Sequence, residues 1–165
     1  MRNNTISDVK QAWYRGFVSA AIILGNADDS LITGNEIYNV HALGIDVEHF
    51  YDGGYGNRNI VRGNHVYDVG QHAILILGAN ETQVENNIIY DVEIFGVLVN
   101  TNEGPALNNE IINNTIDNVA DRGVAIIEGE SSLGLVPQNT RIQNNIFTNI
   151  GNWAIYDEGG NTSSD

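Results

Sequence analysis

The stretch Ile32-Thr33-Gly34-Asn35-Glu36-Ile37-Tyr38-Asn39-Val40 decides the fold, because the chain says it again at Val61-Arg62-Gly63-Asn64-His65-Val66-Tyr67-Asp68-Val69. The same pattern returns at Val84 to Val92, Ile111 to Val119 and Ile142 to Ile150, and a sixth version, Met1 to Val9, begins the sequence. Self-similarity at a period of 20 to 50 residues is the mark of a solenoid. Nine residues after the central Asn, each of the five full segments runs into a small residue and a β-branched one. These pairs are Gly44-Ile45, Ala73-Ile74, Gly96-Val97, Gly123-Val124 and Ala154-Ile155. Ala21-Ile22-Ile23-Leu24 reads as the same strand in the first coil, displaced by an insertion containing Trp13, Tyr14 and Arg15. The interval between central Asn residues ranges from 23 (Asn64 to Asn87) to 31 (Asn114 to Asn145), with nearly all the variation between this strand and the next coil.

Each repeat reads as three short strands with alternate residues facing inward, so that stacked coils pair every strand in parallel and bury one continuous core. Ile32, Ile37, Val40, Ile45 and Val47 form the inward set of one coil, matched in the next by Val61, Val66, Val69, Ile74 and Ile76. The expected fold is all-β, a single-stranded parallel β-helix of about six coils, three strands per coil, forming one domain over residues 1–158 with a flexible tail at 159–165. Asn4, Asn35, Asn64, Asn87, Asn114 and Asn145 form one column, preceded by Asn3, Gly34, Gly63, Asn86, Asn113 and Asn144. Asn and Gly tolerate the left-handed backbone of a sharp bend, and stacked Asn amides satisfy one another, so both columns belong to the turns. A leucine-rich repeat fits less well, since Ile outnumbers Leu by 21 to 9 and no segment between strands reads as an amphipathic helix.

A formal charge of −14, with only seven Lys and Arg, argues against nucleic acid as a partner. No cysteine is present, which removes disulfides and thiolate chemistry, and no apolar run approaches the roughly 20 residues that span a bilayer.

The motif N-x-I-x-[DN]-V followed by [GA]-[IV]-x-[IV] resembles the right-handed parallel β-helix repeats of carbohydrate-active proteins: pectate lyases, chondroitinase B and alginate lyases, mannuronan epimerases, β-helical glycoside hydrolases and phage tailspikes. The resemblance spans essentially the whole chain and implies a polysaccharide partner and an extracellular or cell-surface setting. It also implies a substrate lying across the outward face of the strand that starts at Gly44, Ala73 and Gly96. The Gly-His-Gly and Asp-Asp signatures of polygalacturonases are missing from that face. Lys10 is the chain's one lysine, where lyases of the group use Lys or Arg, often with calcium.

By alternation, the outward columns of that strand are Ile23, Asp46, Leu75, Leu98, Ala125, Tyr156 and Gly25, Glu48, Leu77, Asn100, Ile127, Glu158. The apolar members form a patch that the loops at 48–58, 100–108 and 128–139, or another subunit, would have to cover. The polar exception is Asp46, Glu48 and His49, read as candidate catalytic residues: two carboxylates on one strand face for general acid and base work, and an imidazole as base. Asp46, Glu48 and Asp52 are alternatively oxygen ligands for calcium, and Tyr51, Tyr55, His72 and Asn100 are candidate substrate contacts. The plain alternative is a set of solvated charges beside a Gly-rich loop, with His72 a solvated turn residue. Tyr38, Tyr67 and Tyr90 form a further outward column, either a sugar-stacking platform or a strand-stabilising ladder. The chain starts in mid-coil, as a fragment of a longer β-helix would. The competing function is then a non-catalytic adhesion or assembly module, a homo-oligomer associating through its apolar face and open ends.

Overall fold

The computed structural model describes residues 1–10, 19–49, 56–129 and 134–159, together with the backbone of 162–163. The strands follow one another in triplets: β1 (Thr5–Val9), β2 (Ala20–Gly25), β3 (Leu31–Thr33); β4 (Glu36–Val40), β5 (Leu43–Glu48), β6 (Ile60–Arg62); β7 (His65–Val69), β8 (His72–Leu77), β9 (Gln83–Glu85). The second half repeats them: β10 (Ile88–Val92), β11 (Phe95–Asn100), β12 (Glu110–Ile112); β13 (Thr115–Val119), β14 (Arg122–Ile127), β15 (Thr140–Gln143); β16 (Ile146–Ile150), β17 (Trp153–Asp157), β18 (Thr162–Ser163). Every third strand pairs with its counterpart, giving three parallel six-stranded sheets, in orders β1-β4-β7-β10-β13-β16, β2-β5-β8-β11-β14-β17 and β3-β6-β9-β12-β15-β18. This is the β-helix the repeat predicts, and the displaced first-coil strand is in register, Ile22 opposite Ile45 and Ile23 opposite Asp46.

The inward columns make one core. Ile32, Val61, Val84 and Ile111 from the third sheet meet Ile37, Val66, Ile89 and Ile116 from the first and Ile45, Ile74, Val97 and Val124 from the second, all fully buried. The small residue before each β-branched one has a steric cause. A Cβ on Gly44 would lie 2.5 Å from the Ala73 carbonyl oxygen and 2.8 Å from the Val66 side chain. Gly96 meets the same two obstacles, the Gly123 carbonyl at 2.6 Å and Ile116 at 2.8 Å.

The turn reading holds residue by residue: Asn3, Gly34, Gly63, Asn86, Asn113 and Asn144 all adopt positive φ, between 52° and 63°. The Asn column beside them is a hydrogen-bonded ladder. Asn64 donates its backbone N–H (2.9 Å) and its side-chain amide (3.0 Å) to Oδ1 of Asn87, and Asn87 donates in the same way to Asn114. The tyrosine column is a ladder too. Tyr38, Tyr67 and Tyr90 stack at 5.2 and 4.7 Å with interplanar angles of 9° and 6°. Their faces cover one another, which leaves Tyr67 no open face for a sugar ring. Among the described residues, large apolar side chains are exposed mainly on the terminal coils, at Met1, Ile23, Ile146, Trp153 and Ile155, with Ile88 between them.

Candidate functional site

The second sheet carries the site, because its outward columns hold two buried carboxyls. Asp46 on β5 stands opposite Ile23 on β2 and Leu75 on β8, and the column continues through Leu98 and Ala125. Glu48 stands opposite Gly25 and Leu77, in line with Asn100 and Ile127. The alternation is as expected, but the exposure is not. Asp46 is 3% and Glu48 8% accessible, and Leu75, Leu98 and Ala125 are also buried, forming a second apolar cluster with Leu43 and Phe95 outside the main core. The pair is therefore not a solvated one, and the apolar face is buried within a single chain at Leu75, Leu98 and Ala125 and partly buried at Leu77 and Ile127.

Parts of that arrangement come from the segments that follow the sheet. The His49 backbone N–H donates to the Leu77 carbonyl (2.9 Å), and Nδ1 of His49 lies 2.8 Å from the Glu103 carbonyl oxygen. A carbonyl only accepts, so Nδ1 carries the ring proton in this contact. Gly104 sits against both the His49 ring and Gly78; a side chain on either glycine would clash, at 2.7 Å from Nδ1 and 2.6 Å from the Gly104 nitrogen respectively. Farther along, Thr101 Oγ1 donates to the Leu135 carbonyl (2.7 Å) and accepts from the Gly129 N–H (2.9 Å).

Burial dominates the electrostatics. Desolvation raises the Asp46 carboxyl well above the usual carboxylate range, and the charge of Glu48 and a hydrogen bond between the two groups push the same way. Glu48 is raised first by burial and then by the charge of Glu103, while its bond from Asp46 pulls it down. Burial and mutual repulsion both favour keeping a proton on the pair, and Asp46, the more deeply buried of the two, is the group raised well above its ordinary value. The other oxygen of Asp46, Oδ1, is buried and has no hydrogen-bond partner. Two carboxyls sharing one proton supply an acid and a base side by side.

The remaining expected site residues do not join this centre. His72 is the first residue of β8, paired with Phe95 and stacked on its ring at 4.8 Å and 4°, three residues along the strand from the position opposite Asp46. Rather than a solvated turn histidine it is a partly buried one, with burial pulling its pKa down to about 4 and Nδ1 left without a partner. The column continues into Arg122, whose guanidinium lies 5.0 Å from the Phe95 ring, 5.4 Å from Trp153 and 4.0 Å from Tyr156. Asn100 is buried two strands from Glu48, with Leu77 between, and its Oδ1 accepts the Asn102 N–H (2.8 Å), so it shapes the following turn. Tyr51, Tyr55 and Asp52 lie outside the described residues. Among the described residues no three His, Asp or Glu side chains come together as metal ligands, so Asp46 and Glu48 lack a described third ligand for calcium.

Two features escape sequence reasoning. Glu103 reaches the site from an inter-coil segment, where the period-two alternation that orders the strands no longer applies. A second buried polar column precedes the third sheet, Asn59, Thr82, Asn109 and Thr140, in which Asn109 Oδ1 accepts the Thr82 N–H at 2.8 Å. Its signal was available: each member stands two residues before Val61, Val84, Ile111 or Ile142.

The family model for the right handed beta helix region matches residues 1–164. The chain belongs to the right-handed β-helix family. No curated protein matches this β-helix. Among solved structures it is similar to the A-module of an Azotobacter vinelandii mannuronan C-5 epimerase, at 16% sequence identity and a TM-score of 0.38, covering 99% of this chain and 58% of that one. The β-helix thus spans less than two thirds of the module's length. Among its described residues no helix is long and apolar enough to cross a membrane.

Proposed function

We propose that this β-helix binds and cleaves a polysaccharide at Asp46, Glu48 and His49. One observation carries the reading: in the columns where other coils place Leu75, Leu98 and Ala125, or Leu77, Asn100 and Ile127, this coil places two buried carboxyls. The coil is satisfied by uncharged residues at those positions, so its geometry does not call for acids there. Burying an ionisable pair is costly, and such pairs cluster at sites of chemistry.

The shared proton defines the reaction. Asp46, in its protonated form, donates to the glycosidic oxygen as the bond to the anomeric carbon breaks. A water attacks that carbon, and Glu48 takes the proton the water loses. The proton then returns from Glu48 to Asp46 across their hydrogen bond, which restores the starting pair. His49, tied through Nδ1 to the Glu103 carbonyl, fixes the end of β5 against the segment that carries Glu103. Tyr51 and Tyr55 remain candidate contacts to the sugar. A polysaccharide partner fits an extracellular or cell-surface setting. The assembly alternative loses Leu75, Leu98 and Ala125, which are buried within one chain, and keeps the terminal coils, where Met1, Ile146 and Trp153 are exposed.

A panel of polysaccharides, assayed for new reducing ends with and without calcium, tests this. Asp46→Asn keeps a donor toward Glu48 but cannot transfer its proton, and should lower turnover by at least about 100-fold; Glu48→Gln should do the same. Both variants should keep the wild-type circular dichroism spectrum. Turnover unchanged in folded Asp46→Asn, or no glycan bound or cleaved by the wild type, would remove the reading.

A further inference from the structure

On the third sheet, away from the carboxyl pair, successive coils build an open groove of about 490 Å³, a size at which small-molecule ligands are held. Its rim is the left-handed turn column Asp29, Arg58, Glu81 and Asn108, all exposed, with φ between 51° and 56°. Its floor is the outward row Ile60, Gln83 and Glu110, half-buried and opposite one another on β6, β9 and β12. At roughly 4.8 Å per coil, the rim runs about 14 Å along the solenoid.

The sequence of that rim departs from what its backbone favours. Asp29, Asn108 and, one coil on, Asn139 are residue types that tolerate the left-handed bend, whereas Arg58 and Glu81 tolerate it less well and stand at the middle of the groove. Stability of the turn alone would place Asn at both positions. The charges of the groove are largely balanced in pairs: Arg58 holds both oxygens of Asp29 (2.7 and 2.8 Å), and Arg141 holds Glu110 (2.8 Å). Hydrogen-bonding capacity is what remains open. Among the described residues Glu81 and Gln83 make no side-chain hydrogen bond, and Asn108, whose Oδ1 accepts the Asn139 amide (3.1 Å), keeps its own amide donors.

We propose that this groove is a second, non-catalytic site that binds an uncharged oligosaccharide, with a ring face on Ile60 and hydroxyls bonded to Arg58, Glu81, Gln83 and Asn108. A carboxylate accepts, a guanidinium donates and a carboxamide does both, which together complement the hydroxyl group, itself donor and acceptor. A uronate would meet the carboxylates of Asp29, Glu81 and Glu110. An aminated sugar would find two of those three already ion-paired. The groove lies on a different sheet from Asp46 and Glu48, so the two sites are tested separately.

Proton–nitrogen correlation NMR of the full chain, titrated with β-1,4-linked hexamers of glucose, mannose and N-acetylglucosamine and with an oligouronate of the same length, is the test. At least one uncharged hexamer should shift the side-chain amide signals of Gln83 and Asn108 saturably, and the oligouronate should leave them in place. Gln83→Ala should weaken that binding about fivefold, the worth of one ordinary hydrogen bond. Glu81→Asn should weaken it about tenfold, as for a bond to a charged group, and should at the same time raise Tm, because Asn suits the φ of 53° better than Glu. A Tm lowered by Glu81→Asn would mean that the fold itself calls for the glutamate, and would overturn the proposal. Unchanged affinity in both variants, shifts confined to the second sheet, tighter binding of the oligouronate in the groove, or no shift with any hexamer would overturn it as well. Cleavage of a polysaccharide that depends on Asp46, with no binding in this groove, would remove the proposal and leave the reading of the carboxyl pair standing.

Discussion

Replacing Asn87 with Ala should destabilise the chain by about 3–5 kcal/mol, the loss expected when two or three buried hydrogen-bonding groups are orphaned. Asn87 is 1% accessible and sits in mid-ladder. Its Oδ1 accepts the Asn64 N–H at 2.9 Å and the Asn64 amide at 3.0 Å, and its own amide donates to the Val61 carbonyl (2.9 Å) and to Asn114 Oδ1 (3.0 Å). Asn64 keeps a second acceptor for its amide, the Ile32 carbonyl, but its backbone N–H has none, and Val61 loses the amide. Leucine at this position should be no better, since volume does not replace the bonds. The neighbouring exposed Ile88 provides the control, because Ile88→Thr keeps the β-branched strand residue and should shift stability by no more than about 0.5 kcal/mol. Urea unfolding of the three proteins measures this directly. An Asn87→Ala loss no larger than that of Ile88→Thr would show that the ladder is not what holds the coils in register.

Acidification from neutral pH should cost stability through His72. Its folded pKa is about 4 against an ordinary value of 6.5, so the unfolded chain binds the proton first. The contribution is therefore fully present above about pH 6.5 and is lost as pH falls toward 4, up to about 3 kcal/mol at 1.36 kcal/mol per unit. The raised carboxyls have the opposite sign: folded Asp46 and Glu48 hold protons that the unfolded chain has released, so they favour the folded state as pH falls. The wild-type profile mixes the two slopes, and the difference between proteins separates them. His72→Phe, which keeps a ring against Phe95 at 4.8 Å stacking, removes the histidine slope alone. Thermal melts from pH 7 to pH 4 should show His72→Phe gaining steadily on the wild type. Parallel curves would mean that the imidazole is free to take its proton in the folded state.

What the sequence made legible follows from what repeats. The inward columns, the Asn ladder and the left-handed turn residues recur in coil after coil, so Ile32, Asn35 and Gly34 could be read from their counterparts. The conserved geometry even explains a detail left unread, the [DN] before the last Val of each segment. Asp8, Asn39, Asp68, Asp91, Asn118 and Asn149 form a second column of positive φ, between 47° and 59°. A third column contains Arg58 and Glu81, with φ of 55° and 53°, side chains that carry no left-handed signature and so gave no warning. The carboxyl site is legible only in part, because it is where the repeat breaks. Alternation placed Asp46 and Glu48 on one face correctly. It could not show that the face is buried, since Glu103 comes from a segment outside the alternation, nor that His72 and Asn100 are occupied by a ring stack and a turn.

The account stands on the proton held between Asp46 and Glu48. Infrared difference spectroscopy of the wild type against Asp46→Asn at neutral pH measures it, through the carbonyl stretch of a protonated carboxylic acid. The wild type should show that band at pH 7, Asp46→Asn should lack it, and it should fade as the pH is raised further. A wild-type spectrum at pH 7 with carboxylate bands alone would contradict the assignment, and with it the acid on which the proposed reaction depends.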